Sequence, residues 1–177
     1  MDYLSTREIG IDVAHRVPTH GSKCQRLHGH RYKIEAVIQG SLASSGEQTG
    51  MTLDFGFIKE GMMTLIDAYF DHATTLHVSD PLAALLLNGG DYHPVDDIVD
   101  DPKGTILLME DSGEFSGLPT KLCLLTVIPT AENLAALWYY RLRNFVTCRS
   151  DGRAVLSQVI VWETPNCKSA YPAPVTA

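Results

Sequence analysis

An α+β fold is what this 177-residue sequence predicts, and three observations predict it. Residues 6–16 and 30–39 alternate apolar and polar side chains, the two-residue period of half-buried strands. Two other segments repeat apolar residues at helical spacing: Ile58, Met62, Leu65, Ile66 and Tyr69, then Leu134, Leu137, Trp138, Leu142 and Phe145. A near-continuous apolar run at 121–128 reads as a central strand, and 154–164 as a last one.

Each element carries its own signals. In the first strand Ile9, Ile11, Val13 and His15 share a face, because side chains two apart point the same way. A loop with Pro18, His20 and Gly21 leads to Cys24-Gln-Arg-Leu-His28-Gly29-His30. If strand pairing begins at His28, then His28 and His30 stand in line with Tyr32, Ile34, Ala36 and Ile38. Gly29 leaves room for another strand or a substrate. After a Ser/Gly-rich turn at 40–50, Asp54 is placed to cap a helix that ends at Phe70-Asp71-His72. Residues 81–90 read as a short helix with a glycine stop, and the acidic stretch from Asp91 to Asp101 as a solvated loop without EF-hand spacing. Thr130 is a natural cap for the second helix, where Glu132 suits the helix dipole. In the final strand simple alternation puts Val155, Val159, Val161 and Glu163 on one face, and Leu156, Ile160 and Trp162 on the other. No internal repeat or low-complexity tract interrupts the chain.

Composition narrows the function classes. The chain is 45% hydrophobic and 20% charged, an ordinary globular balance. A formal charge of −7 argues against a nucleic-acid partner. No apolar run approaches the ~20 residues of a membrane span, and the first residues lack a signal-peptide core. The expectation is a cytoplasmic protein whose four scattered cysteines are reduced.

The histidines bear the chemistry. A lone His15 on an apolar strand face is ordinarily a satisfied core histidine. Two more imidazoles on the next strand change that, since three side by side are costly unless something coordinates them. Zinc takes imidazole nitrogen at ~2.0–2.1 Å, and three protein ligands with one open position make the catalytic type of site. Cys24 as a fourth ligand would instead close a structural site. Asp71 directly before His72 can orient an imidazole for proton transfer, or simply mark a helix terminus. Glu163 ends an apolar row and is either a solvated strand end or an anchor for the N–H/NH₂ edge of a planar base.

Taken together these pieces resemble the 6-pyruvoyltetrahydropterin synthase family, and within it the 6-carboxytetrahydropterin synthases of queuosine-type 7-deazaguanine biosynthesis. The matching motifs are Asp12-Val-Ala-His15-Arg, Cys24-x₃-His28-Gly-His30, Leu53-Asp-Phe-Gly56, Asp71-His72, Pro129-Thr-Ala-Glu-Asn133 and Val161-Trp-Glu163-Thr. The resemblance implies a single T-fold domain over 1–177, an antiparallel four-stranded sheet with two helices on one face, here with a long insertion at about 76–120. It implies a hexamer-like homo-oligomer with active sites at subunit contacts. It implies His15, His28 and His30 as Zn²⁺ ligands, Cys24 as the catalytic thiol with Asp71 and His72 as acid/base partners, and Glu163 as the pterin anchor, with Thr130 and Glu132 near the pterin. The implied substrate is 7,8-dihydroneopterin triphosphate. The four-residue step from Cys24 to His28 favours the carboxy product, with acetaldehyde and triphosphate released; a pyruvoyl product, or zinc and pterin binding without turnover, are the alternatives. Arg16, His20, Lys23 and Arg26 flank the motif in sequence and are candidates to meet the triphosphate. No nicotinamide, flavin or Walker motif is present.

Overall fold

The computed structural model describes residues 2–87, 93–94, 106–108 and 121–173. In chain order the elements are β1 (Tyr3–His15), β2 (His28–Gly40), α1 (Phe55–Met62), α2 (Ala68–Phe70), β3 (Ala73–His77), α3 (Pro81–Leu87), β4 (His93–Pro94), β5 (Ile106–Leu108), β6 (Lys121–Leu125), α4 (Ala131–Arg149), β7 (Ala154–Thr164) and β8 (Cys167–Tyr171).

The α+β class is as the sequence predicts, but the sheet is larger and mixed. Its order is β4-β5-β6-β3-β1-β2-β7-β8. The expected four-stranded antiparallel unit is present as β1-β2-β7-β8. Beyond it, β3 runs parallel to β1 and β6 parallel to β3. Parallel neighbours need a long crossover, and both sets of intervening residues are long enough to supply one. Strand β3 escapes a sequence reading because Ala73-Thr-Thr-Leu-His77 is short, directly follows a helix and shows no alternation.

The β1–β2 pairing positions the site. His15 lies opposite His28 and Val13 opposite His30, so β2 does begin at His28. An added Cβ at Gly29 would come within 3.2 Å of the Val13 carbonyl, so it is the neighbouring strand that approaches closely there.

Helices α1 and α4 cover one face of the sheet. Ile58, Met62, Ile66, Leu134, Leu137 and Trp138 share one buried core with Ile11, Val13, Tyr32, Ile34, Val159 and Val161. Each helix starts where its cap predicts: Asp54 Oδ1 accepts from Gly56 N–H at 2.6 Å, and Thr130 Oγ1 from Asn133 N–H at 3.4 Å. The helices touch at Gly61, where a Cβ would lie 2.6 Å from the Phe145 ring. Past α1 the chain widens into a π turn (Met63–Asp67), and the buried Arg141 donates from Nε to the Leu65 carbonyl there at 2.6 Å.

Strand β7 departs from simple alternation. Val37 pairs with Gln158 but Ile38 pairs with Leu156, so Ser157 is an extra residue in a bulge. Ala154 and Leu156 therefore face the core before the bulge, Val159 and Val161 after it, and Val155 is half exposed. The expected grouping of Val155 with Val159, and of Leu156 with Ile160 and Trp162, is corrected accordingly. The expected short helix is α3; its glycine stop and the acidic stretch from Asp91 to Asp101 lie outside the described residues, apart from the backbone of β4. Among the described residues no helix is long and apolar enough to cross a membrane.

Candidate active site

Three imidazoles meet where β1 ends and β2 begins. One ring nitrogen from each of His15, His28 and His30 lies within 4.8 Å of the others. The ring centroids are 4.6, 5.0 and 5.3 Å apart. His15 Nδ1 lies 2.7 Å from the Pro129 carbonyl and His28 Nδ1 2.8 Å from the Arg26 carbonyl. A carbonyl only accepts, so both Nδ1 atoms carry the proton and both Nε2 atoms keep a lone pair. Burial pulls His15 and His30 below the ordinary imidazole value, so both favour the neutral form that metals bind. This donor set, with carbonyls orienting two of its rings, fits a zinc-type cation.

Glu163 and Tyr32 sit against the cluster. Glu163 Oε1 is 3.6 Å from His15 Nε2 and 3.9 Å from His30 Nε2. The fully buried Tyr32 donates its hydroxyl to Glu163 Oε1 at 3.1 Å. Burial and then the adjacent Glu163 charge push the Tyr32 hydroxyl far above its ordinary range, so it stays a donor. Glu163 itself is at a second bulge, where the β7–β8 register shifts between Trp162 and Thr164. Bulges re-aim side chains next to active sites. Tyr32 was read from the sequence only as a core residue; its place two residues after His30 on the same face was the available signal.

A cavity of about 710 Å³ joins these groups to the rest of the expected site. His15, Cys24, Thr130, Glu132 and Glu163 all line it. Cys24 is a half-buried free thiol on a short 3₁₀ turn (Lys23–Gln25) and stands outside the three-imidazole group. Thr130 spends its hydroxyl on the α4 cap, and Glu132 is exposed in the first turn. Of the four residues suggested by sequence proximity, only His20 lines the cavity; Arg16 pairs instead with the buried Asp80.

Asp71 and His72 lie elsewhere. His72 lines a second cavity of about 460 Å³ with Asp12, Gly29, Arg31 and the edge of His30, and Asp71 clusters there with Asp12 and His72. Alternation puts Asp12 and Arg31 on the sheet face opposite His15 and His30. Within one chain, then, the pair is not brought to Cys24. It is nevertheless held firmly: Asp71 Oδ1 accepts from Asp12 N–H at 2.9 Å, Asp71 Oδ2 lies 2.7 Å from His72 Nδ1, and His72 N–H donates to the Asp12 carbonyl at 2.7 Å. Partial burial works against the Asp71 charge, but the Asp12 amide and His72 ring outweigh it and lower its pKa. His72 has a left-handed φ of 57°, a strained conformation that surrounding contacts must enforce and that clusters at functional sites.

The sequence model of the 6-pyruvoyl tetrahydropterin synthase family matches residues 5–174. The chain belongs to this family. A relative from Rickettsia bellii named 6-carboxy-5,6,7,8-tetrahydropterin synthase is 30% identical over 164 residues, 92% of this chain and 94% of that one. One of the same name from Haemophilus influenzae is 28% identical over 166 residues, covering 94% and 96%. Among solved structures, an uncharacterised protein of Wolinella succinogenes superposes with a TM-score of 0.74 at 20% identity, covering 96% of this chain and 97% of that one. A Plasmodium vivax 6-pyruvoyltetrahydropterin synthase gives 0.61 at 18% identity, covering 96% of both. At these identities the superpositions establish the T-fold.

The depressed imidazoles give this family member a pH signature when metal-free. As pH falls through the unfolded value of 6.5, the unfolded chain takes up protons before His15 and His30 do. Their contribution to stability is therefore complete above about 6.5 and is lost as pH falls toward the folded values. The melting temperature of chelator-treated protein is expected to be lower at pH 5.5 than at 7.5; an equal or higher value would contradict the assignment.

Proposed function

We propose that this family member is a zinc-dependent 6-carboxy-5,6,7,8-tetrahydropterin synthase. Family membership makes it a pterin lyase; the finer reading is that it converts 7,8-dihydroneopterin triphosphate and water into 6-carboxy-5,6,7,8-tetrahydropterin, acetaldehyde and triphosphate, a step toward queuosine-type 7-deazaguanine. The observation that carries it is one cavity lined by His15 of the three-imidazole cluster, the free Cys24 thiol and the tyrosine-held Glu163 carboxylate.

Glu163 presents its remaining lone pairs to the N–H/NH₂ edge of the pterin, a charge-assisted pairing that orients the ring. His15, His28 and His30 would hold the zinc, which supplies Lewis acidity toward the side-chain hydroxyls when bound. Cys24, as thiolate, removes the proton from a hydroxyl-bearing side-chain carbon. The Asp71–His72 pair moves the second proton. One side-chain carbon remains on the ring as carboxylate and two leave as acetaldehyde, while C–O cleavage releases triphosphate. Two electrons pass from side chain to ring, so no nicotinamide or flavin is required.

Since Cys24 and His72 serve separate cavities of one chain, a second subunit supplies the Asp71–His72 pair to each Cys24 in a homo-oligomer. The exposure of His72, beside Asp12 and Arg31, supports this. Cys24→Ala and His72→Ala variants, each inactive alone, are expected to regain activity when co-expressed, because some sites then carry both intact groups. No recovery in a confirmed mixed oligomer would place both groups in one subunit's site. We read residues 1–177 as one cytoplasmic domain with an insertion at about 76–120, without nucleic-acid or membrane partners.

The deciding experiment incubates the zinc-loaded protein with 7,8-dihydroneopterin triphosphate and identifies the pterin by mass spectrometry. A 6-carboxy product with acetaldehyde supports the assignment. A 6-pyruvoyl product moves the protein to the other branch, and no turnover favours a binding role.

A further inference from the structure

We propose that Arg16 and Asp80 are positioning residues for the imidazole cluster, and that the chain just after β3 is built as its buttress. The proposal rests on reading His15, His28 and His30 as the metal ligands. Asp80 is the observation that demands it: its side chain is fully buried, yet it is a carboxylate. Oδ1 caps α3 by accepting from Leu82 N–H at 2.8 Å. Oδ2 faces Arg16 Nε at 2.9 Å, an ion-pair contact whose N–H is not aligned for a hydrogen bond, and neither atom has another hydrogen-bond partner. The cap needs an oxygen but no charge. Among the described residues the charge answers only to Arg16, the residue that follows His15.

The same short segment grips the other support of His15. Val78 N–H donates to the Leu125 carbonyl at 2.8 Å, and His77 Nε2 lies 3.2 Å from the Thr126 carbonyl. Those residues open the loop whose Pro129 carbonyl fixes the His15 ring. Beneath them β3 pairs Thr75 with His15 in parallel register. Residues 77–80 thus hold His15 twice, through Arg16 next to it in the chain and through the loop behind its ring. Removing a direct hydrogen-bond partner of a metal-bound histidine ordinarily weakens metal binding about 10–100-fold; Arg16 and Asp80 stand one step behind such a partner, and their loss is expected at or below the low end of that range.

The test uses the full chain, stripped with chelator and titrated with zinc or cobalt(II). Asp80→Asn keeps an oxygen for the cap and removes the charge. It is expected to weaken zinc binding by up to about 10-fold, to alter the cobalt d–d spectrum, and to lower kcat more than it raises KM. It also leaves Arg16 unpaired, so its melting temperature falls. In the Arg16→Gln/Asp80→Asn double variant no buried charge is left unpaired, and the melting temperature recovers. Zinc affinity and cobalt spectrum stay altered, which a merely structural pair would not produce. Arg16→Lys, which keeps the charge but not the guanidinium geometry, is expected to shift the spectrum in the same direction should Asp80→Asn fail to fold. Wild-type zinc affinity and cobalt spectrum in the folded double variant, or in Arg16→Lys where Asp80→Asn does not fold, would overturn the proposal while leaving the ligand assignment standing. A wild-type chain that binds neither metal would overturn both.

Discussion

Cys24→Ala is expected to lower kcat by about 10²–10⁴-fold, the usual contribution of a positioned proton-transfer group, with zinc content unchanged. Both halves follow from where the thiol sits. It lines the cavity with His15 and Glu163, where a bound substrate would meet it; it stands outside the group of three ring nitrogens, which would hold a metal without it. Metal analysis beside single-turnover kinetics decides the matter. If zinc is lost with the thiol, Cys24 is a ligand and the site is of the closed, structural type. If kcat survives, the proton is taken by another group.

Glu163→Ala is expected to weaken binding of a pterin by about 100-fold or more, since two charge-assisted hydrogen bonds of about 1.5–3 kcal/mol each disappear. Zinc content is expected to hold. Glu163 raises the affinity of His30 for protons, so deleting it moves that imidazole further toward the neutral form that binds metal. Titration with neopterin, followed by fluorescence, gives the affinity. Glu163→Gln separates charge from shape, because the amide can keep one acceptor but presents a donor where the pterin also donates. An unchanged pterin affinity in the alanine variant would remove Glu163 from the anchor role.

The sequence made the imidazole cluster legible because strand alternation is a strict rule: Val13 and His15, then His28 and His30, fall on the face that Tyr32 and Ile34 must bury. Glu163 was legible for a reason that did not fully hold. Counting by twos from Val155 reaches Glu163, but Ser157 interrupts the count, and only residues beyond it keep the expected face. Nothing in Leu156-Ser157-Gln158 marks a bulge, because a bulge is a property of two paired strands rather than of one. Arg16 failed for a similar reason. Its neighbours suggested a phosphate ligand, while its partner Asp80 is far away in sequence and reaches it only once β3 lies beside β1. The separation of Asp71 and His72 from Cys24 could not be read either, since sequence adjacency to a helix end says nothing about which side of the sheet that end approaches.

The β1–β2 hairpin divides its labour in a way that bears on how such a protein changes over generations. His15, His28 and His30 are set by interstrand register, while Cys24 rides on the connection between the strands, tied back there by the Val17 N–H to Cys24 carbonyl bond at 2.8 Å. Insertions or deletions between residues 18 and 25, inside the Arg16 and Arg26 contacts, can lengthen, shorten or re-aim the reach of the thiol without touching the groups that orient the imidazoles. Selection can therefore explore new reaction outcomes in that connection while the three-imidazole frame is inherited intact, and a library randomised only there is the economical place to look for altered products.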